Sequence, residues 1–391
     1  MNTKQHSAVD IISASIINCM KPLLYVEYCY GLFRYRLGER SSDAIDLRMK
    51  LISIAITSTW IITFFCVVFH DQIVFTNVVM VADYLISFLI TVGYAFSTII
   101  LVLWQTQYNK KVIEMFACID ISLHASIDQN VYKMSFRQCK ILFTIYILFC
   151  LICIAIYAYF SSNDNRIEYL LFSLIYFERK IELCVFCLFL YMLKQRLLLI
   201  KNYLNKLTDV GMLRHNKVKK LDVDFIGQIC NENYRLRDLT SVYCKVGKTC
   251  MLINKIYNNL IIMTLATAFI FIIVISWTIL YSHKFNNNFI VSLSMLFYLG
   301  TEFISIIFMT YYCENITIVR NKLICILYKM NRGDLPINMR KQVNVFVKIT
   351  NVWRLSINVS NMLDVNLSLV LKFVSICTSY LIVIIQINRL I

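Results

Sequence analysis

The stretch LSLVLKFVSICTSYLIVIIQI, residues 367–387, is apolar over the length a helix needs to cross a bilayer, yet it carries a glutamine, Gln386, near its end. About 30 Å of hydrocarbon is spanned by roughly 20 residues rising about 1.5 Å each, and a helix satisfies every backbone amide on the way. An amide side chain there is costly unless it faces protein or water. At helical spacing, Ser379 and either Ile382 or Val383 share the face of Gln386. Gln386 therefore either marks a face turned to protein or water, or sits at the membrane interface.

Six more stretches of this kind precede it, at residues 49–69, 73–104, 141–160, 167–193, 257–281 and 289–312. Composition points the same way. The 391 residues are 59% hydrophobic with 8 Gly and 2 Pro, at a mean hydropathy of +0.65, more apolar side chain than one globular core buries. The expected fold class is all-α, a seven-transmembrane-helix membrane protein forming one domain over residues 1–391, without internal repeats or Gly-, Ser- or Pro-rich linkers. An earlier apolar run, residues 11–33, is broken by Lys21, Pro22 and Glu27. It reads as a helix that lies on the membrane surface or leads into the bundle, and makes a poor signal peptide.

Lys and Arg crowd alternate connections, and basic loops stay on the cytoplasmic side. Arg34, Arg36, Arg40 and Arg48 precede the first span; Lys110, Lys111, Lys133, Arg137 and Lys140 separate the second from the third; Lys194, Arg196 and HNKVKK follow the fourth. The opposite loops hold little beyond Arg166 and Lys284. The amino terminus is expected inside and the carboxyl terminus outside, with cytoplasmic helical assembly segments at about 195–254 and 314–366. The net charge of +16 is this bias summed over solvated loops and needs no nucleic acid. A G-protein-coupled receptor would place its amino terminus outside and is disfavoured. A secondary transporter is disfavoured by the odd span count and the lack of repeated halves or Gly- and Pro-broken helices.

None of the 15 cysteines falls in the short outer loops, so no extracellular disulfide framework is expected. Cys150/Cys153 and Cys184/Cys187 have CxxC spacing within apolar stretches and read as helix packing. No HExxH, GxSxG or Gly-rich phosphate loop is present, so neither enzyme chemistry, metal nor cofactor is expected.

Ionisable residues within spans are functional candidates because they are expensive unless paired or wetted. Counted along the helix rise, Asp83, Glu178 and Arg179 lie at similar depth and Glu302 slightly deeper. With Tyr84, Tyr146, Tyr157, Tyr176, Phe177, Trp277, Tyr281, Tyr298 and Phe303 they suit an aromatic-lined pocket for a small organic ligand. The other reading is an internal salt bridge from Arg179 to Asp83 or Glu302, with the aromatics filling core. The two are compatible.

Seven spans with short outer loops, ending in Ser379-Tyr380-Leu381-Ile382-Val383-Ile384-Ile385-Gln386-Ile387, resemble the insect gustatory receptors, relatives of the insect odorant receptors. Their signature is Thr-Tyr, five hydrophobics and Gln-Phe; here Ser379 replaces Thr and Ile387 replaces Phe. The resemblance implies a ligand-gated, nonselective cation channel in the plasma membrane of sensory neurons, opened by small-molecule tastants. It implies a homo- or hetero-tetramer in membrane lipid, seventh helices around a central pore, and a ligand pocket among the outer halves of the second to sixth spans. Gln386 and Ile387 would then lie near the outer constriction and Tyr380 lower down, with Ser379, Ile382 and Val383 on the pore stripe. An epitope fused ahead of Met1 is expected to stain only after cells are permeabilised; staining of intact cells would invert the threading.

Overall fold

A computed structural model describes residues 3–35, 46–70, 78–101, 105–123, 129–160, 166–213, 232–285, 289–333, 337–360 and 362–387. Among these the chain forms ten α-helices: α1 Thr3–Cys29, α2 Leu47–His70, α3 Val78–Ile100, α4 Thr106–Ser122, α5 Gln129–Phe160, α6 Arg166–Leu213, α7 Glu232–Phe285, α8 Phe289–Arg332, α9 Ile337–Val352 and α10 Leu367–Ile387. A hairpin of β1 Asn358–Val359 and β2 Leu363–Asp364 joins the last two. The protein is an all-α, seven-transmembrane-helix molecule. Its seven apolar stretches fall on α2, α3, α5, α6, α7, α8 and α10.

Helix α6 is the centre. Every residue from Ile175 to Leu190 except Cys184 is buried, so this part of the helix is enclosed on all sides. Helix α8 runs parallel beside it, tied at one level by the Tyr176 and Thr301 hydroxyls and further along by Lys194 donating to Asn315. At 48, 54 and 44 residues, α6, α7 and α8 are about 72, 81 and 66 Å long. Each is more than twice what about 30 Å of hydrocarbon needs, so each extends beyond the bilayer.

The broken apolar run at residues 11–33 becomes α1, which continues through Pro22. Packing places it in the bundle: Ile16, Ile17, Met20, Leu23 and Leu24 are buried, against α4, α5 and α6. Residues 8–29 are also long and apolar enough to cross a membrane by length and composition. The helix ends in a Schellman turn, with Leu32 N donating to Glu27 O and Gly31 N to Tyr28 O. Gly31 sits at φ +78, and a Cβ there would meet Ile56 and the Ser53 carbonyl, so glycine suits this position twice over.

The ends of α7 and α8 remote from the apolar stretches clasp α9. Tyr243 Oη donates to Trp353 O, Arg320 Nη2 donates to Thr350 O, and Tyr243 meets Phe346 edge-on. Gly247 lets the Trp353 indole lie against the α7 backbone, since a Cβ there would come within 2.7 Å of the ring. Asn254 and Asn258 reach across to the hairpin at Asn358 and Ser360, and Val365 N closes onto Ile357 O. Asn366 then caps α10 by accepting from Leu369 N, with Glu314 accepting from Leu367 N.

Gly247→Ala is expected to destabilise the protein by about 1–3 kcal/mol through overpacking. Adding Trp353→Ala should recover part of that loss, and thermal melting of the two single variants and the double variant measures the coupling.

Candidate functional site

The segment Glu178-Arg179-Lys180-Ile181-Glu182 brings four ionisable side chains into the buried heart of α6. Isolated charges in such surroundings are prohibitively costly, so each must find partners on neighbouring helices. Helical geometry divides them: Glu178 and Glu182, four apart, share one face, while Arg179 and Lys180 turn toward another.

On the α8 side, Glu302 is fully buried and collects both cations. Lys180 Nζ lies 3.1 Å and Arg179 Nη2 3.4 Å from Glu302 Oε1, and Tyr176 Oη donates to the same oxygen at 2.6 Å. Lys180 also donates to Ser305 Oγ at 2.8 Å and lies over the Tyr176 ring; Arg179 donates to Thr267 Oγ1 on α7. One carboxylate, two cations and a phenol thus knit α6, α7 and α8 together.

On the α1 side, Arg34 takes Glu27 at 2.8 Å and Glu182 at 2.7 Å, with its guanidinium over the Tyr257 ring. Glu178 lies in the electrostatic reach of Glu182, Arg179, Glu27 and Arg34, and its Oε1 has no hydrogen-bond partner among the described residues. A third buried pair lies further along α6. Asp120 of α4 binds Arg196 through both oxygens, at 2.9 and 2.6 Å, accepts from Tyr132 Oη at 2.9 Å, and the guanidinium stacks over Phe116.

The salt-bridge reading of Arg179 therefore holds toward Glu302. Glu178, expected to share a site with Glu302, makes no ion pair or hydrogen bond to it among the described residues. Tyr176 belongs to the Glu302 centre, whereas Tyr146 pairs with the hydroxyl of Tyr30, and Phe177 packs edge-on against Phe149. Trp277 is half-buried on α7. Phe303 is half-buried too and lines a cavity of about 160 Å³ with Ile272, Leu299, Val374 and Cys377, between α7, α8 and α10. The side chains of Asp83, Tyr84, Tyr157, Tyr281, Tyr298 and Ile387 lie outside the described residues.

Sequence reasoning missed Lys180, Glu27, Glu182 and Asp120 as partners, and assigned Arg34 and Arg196 to solvated loops. Both arginines are buried in ion pairs instead. Lys180 and Glu182 were legible beside Arg179. Arg34 has Glu27 only seven residues away, but Glu182 lies 148 residues from it and Asp120 lies 76 from Arg196, separations that no local pattern connects.

The last helix is hung from one side. Leu369, Phe373 and Cys377 of α10 are buried, with Phe373 and Tyr380 edge-on to Phe269 of α7. Opposite them, Ser368, Lys372, Ser375, Ser379, Ile382 and Gln386 are all exposed in the single chain. At about 100° per residue they fall within an arc of about 80°, centred away from the buried face. Val383 is likewise exposed, beside that arc. Among the described residues this row of polar groups, with Ile382 in it, thus lies on the side of α10 turned away from α7 and α8.

Among the described residues no group of three or more His, Cys, Asp or Glu is arranged to hold a metal ion. Ion-paired charges inside a spanning bundle, with an exposed polar stripe on α10, are the features of a helical multi-pass membrane protein. The 7tm chemosensory receptor family profile matches residues 20–388, and the chain belongs to that family, within the insect chemoreceptor superfamily. Its fold is similar to that of the insect olfactory receptor OR5 from Machilis hrabei, at a TM-score of 0.70 and 11% identity, covering 95% of this chain and 98% of that one. The structure of the same receptor in complex with eugenol matches at a TM-score of 0.66 and 12% identity, covering 96% and 100%. No curated protein matches the chain in sequence.

Glu302→Gln would strand two buried cations and is expected to cost about 3–5 kcal/mol. Arg179→Met leaves Glu302 paired with Lys180 and should cost less. Thermal melting of detergent-purified protein distinguishes the two; equal losses would mean that the cations do not share the carboxylate.

Proposed function

We propose that the protein is a gustatory receptor acting as a ligand-gated, nonselective cation channel, with the α10 helices of a tetramer around a central pore. The observation that carries this reading is the stripe Ser368, Lys372, Ser375, Ser379, Ile382, Gln386. A spanning helix with hydroxyls and an amide on an open face requires water or protein against that face, and symmetric assembly about it supplies a wet lumen. Ile382 interrupts the polar row, and an apolar ring at that level closes a pore by dewetting, while the Gln386 amide dipoles help ions across when it opens. The signature from Ser379 to Ile387 favours the gustatory branch over the odorant branch. The receptor belongs in the plasma membrane of sensory neurons, with its amino terminus inside.

The ligand is a small organic molecule, a role for which the complex of the olfactory receptor with eugenol offers a parallel. The hydrogen-bonding centre of Tyr176, Arg179, Lys180 and Glu302 is the site we assign to tastant recognition or to its transmission. A ligand shifts the closed-to-open equilibrium only if it interacts differently with the two states. Helix α7 carries Thr267, which accepts from Arg179, two residues from Phe269, which packs on α10. Rearrangement around Arg179 thereby reaches the stripe through one turn of α7.

Membrane currents from cells expressing the chain, challenged with sugars, bitter compounds and volatiles, test the reading. Cysteines placed at Ser375, Ser379 or Ile382 should react with water-soluble thiol reagents and block current, while one at Phe373 should not. Gln386→Leu should reduce conductance or alter gating; unchanged currents in a well-expressed variant would remove α10 from the pore.

A further inference from the structure

A groove of about 560 Å³ runs between α1 and α5. Its surface is apolar, with Pro22, Tyr25 and Phe136 along it and Cys19 and Tyr132 at its inner wall. Lys21 and Lys133 flank it from the two helices, and neither has an ion-pair partner among the described residues. The exposed face of α5 explains what lies outside. Lys133, Arg137 and Lys140, all exposed at helical spacing, give way along the same side of the helix to Ile147, Leu148 and Leu151, which are 36, 58 and 59% exposed. A helix face that changes from basic to apolar within about two turns crosses from the headgroup level into hydrocarbon. The groove lies beside the basic part of that face.

We propose that this groove binds an anionic phospholipid. The phosphate sits between Lys21 and Lys133, the glycerol and first acyl segment lie against Pro22, Tyr25 and Phe136, and a chain continues down the Ile147, Leu148, Leu151 face. Charge complementarity selects the occupant: two unpaired cations on an apolar surface match a negative headgroup joined to a hydrocarbon tail. The inner wall gives occupancy a consequence. Cys19 Sγ donates to Tyr132 O, and Tyr132 Oη donates to Asp120, the carboxylate that holds Arg196. A lipid seated there presses α1 onto α5 at the junction where α4, α5 and α6 share their buried ion pair, and so stabilises the bundle.

The test uses the full chain in nanodiscs of phosphatidylcholine with or without phosphatidylserine, read by native mass spectrometry of retained lipid and by thermal melting. Wild type should retain phosphatidylserine over phosphatidylcholine and melt higher when it is present. Lys21→Gln with Lys133→Gln should weaken that retention roughly tenfold and abolish the melting increment, while melting in pure phosphatidylcholine stays as in wild type. The Lys21→Arg, Lys133→Arg variant should retain the lipid, which separates loss of charge from misfolding. Equal retention of the two lipids by wild type, or undiminished retention by the glutamine variant, would overturn the proposal. So would competition by soluble glycerophosphoserine as effective as by the whole lipid, which would indicate a simple anion site. Disulfide-linked dimers formed in membranes by Tyr25→Cys or Phe136→Cys would show a second copy in the groove and would also overturn it.

Discussion

The energetic cost of burying charge in α6 governs the rest of the structure. Four ionisable residues within five positions occupy the most enclosed helix of the bundle, where an unpaired ion is strongly destabilising. Their compensation comes from three other elements: Glu302 on α8, Thr267 on α7, and Arg34, which the turn after α1 delivers. The arrangement needs α6 and α8 parallel and in one register, and it needs α1 inside the bundle. Gly31 makes the second possible, because its left-handed backbone folds the chain back so that Arg34 reaches both Glu27 and Glu182.

Buried ion pairs of this kind contribute little net stability compared with apolar packing, but they penalise every arrangement in which they are separated. Here that gives register. Helices that are apolar all round slide over one another with small changes in energy, whereas one turn of slip between α6 and α8 would part Lys180 and Arg179 from Glu302. The Asp120–Arg196 pair does the same for α4 against α6, more than two turns of helix further along. The central helix is thus pinned at two levels, and its neighbours inherit their positions.

Helix α10 is held quite differently. Its attachment is apolar, through Leu369, Phe373 and Cys377, and its start is set by the hairpin and by the Asn366 and Glu314 caps. No ion pair fixes it to α7 or α8 among the described residues. A rigid charged core beside a helix attached by hydrophobic contacts is a suitable division of labour for a two-state device, since apolar contacts slide at lower cost than buried ion pairs break.

Amino-acid order alone determined that the chain crosses a membrane as helices, because hydrocarbon leaves the backbone so few solutions and roughly 20 apolar residues announce one of them. It also singled out Glu178, Arg179, Glu302 and Gln386, since polar groups in apolar stretches stand out by their cost. It did not reveal that Arg34 and Arg196 are interior residues, or that Glu302 gathers Lys180 as well as Arg179. Those facts depend on partners far away in the chain and on which way each side chain turns, and sequence proximity carries neither. The polar stripe of α10 lies between the two cases. Its spacing is written in residues 368–386, but only the packing of Leu369, Phe373 and Cys377 decided which side of α10 is covered, and so that this stripe lies on the open side.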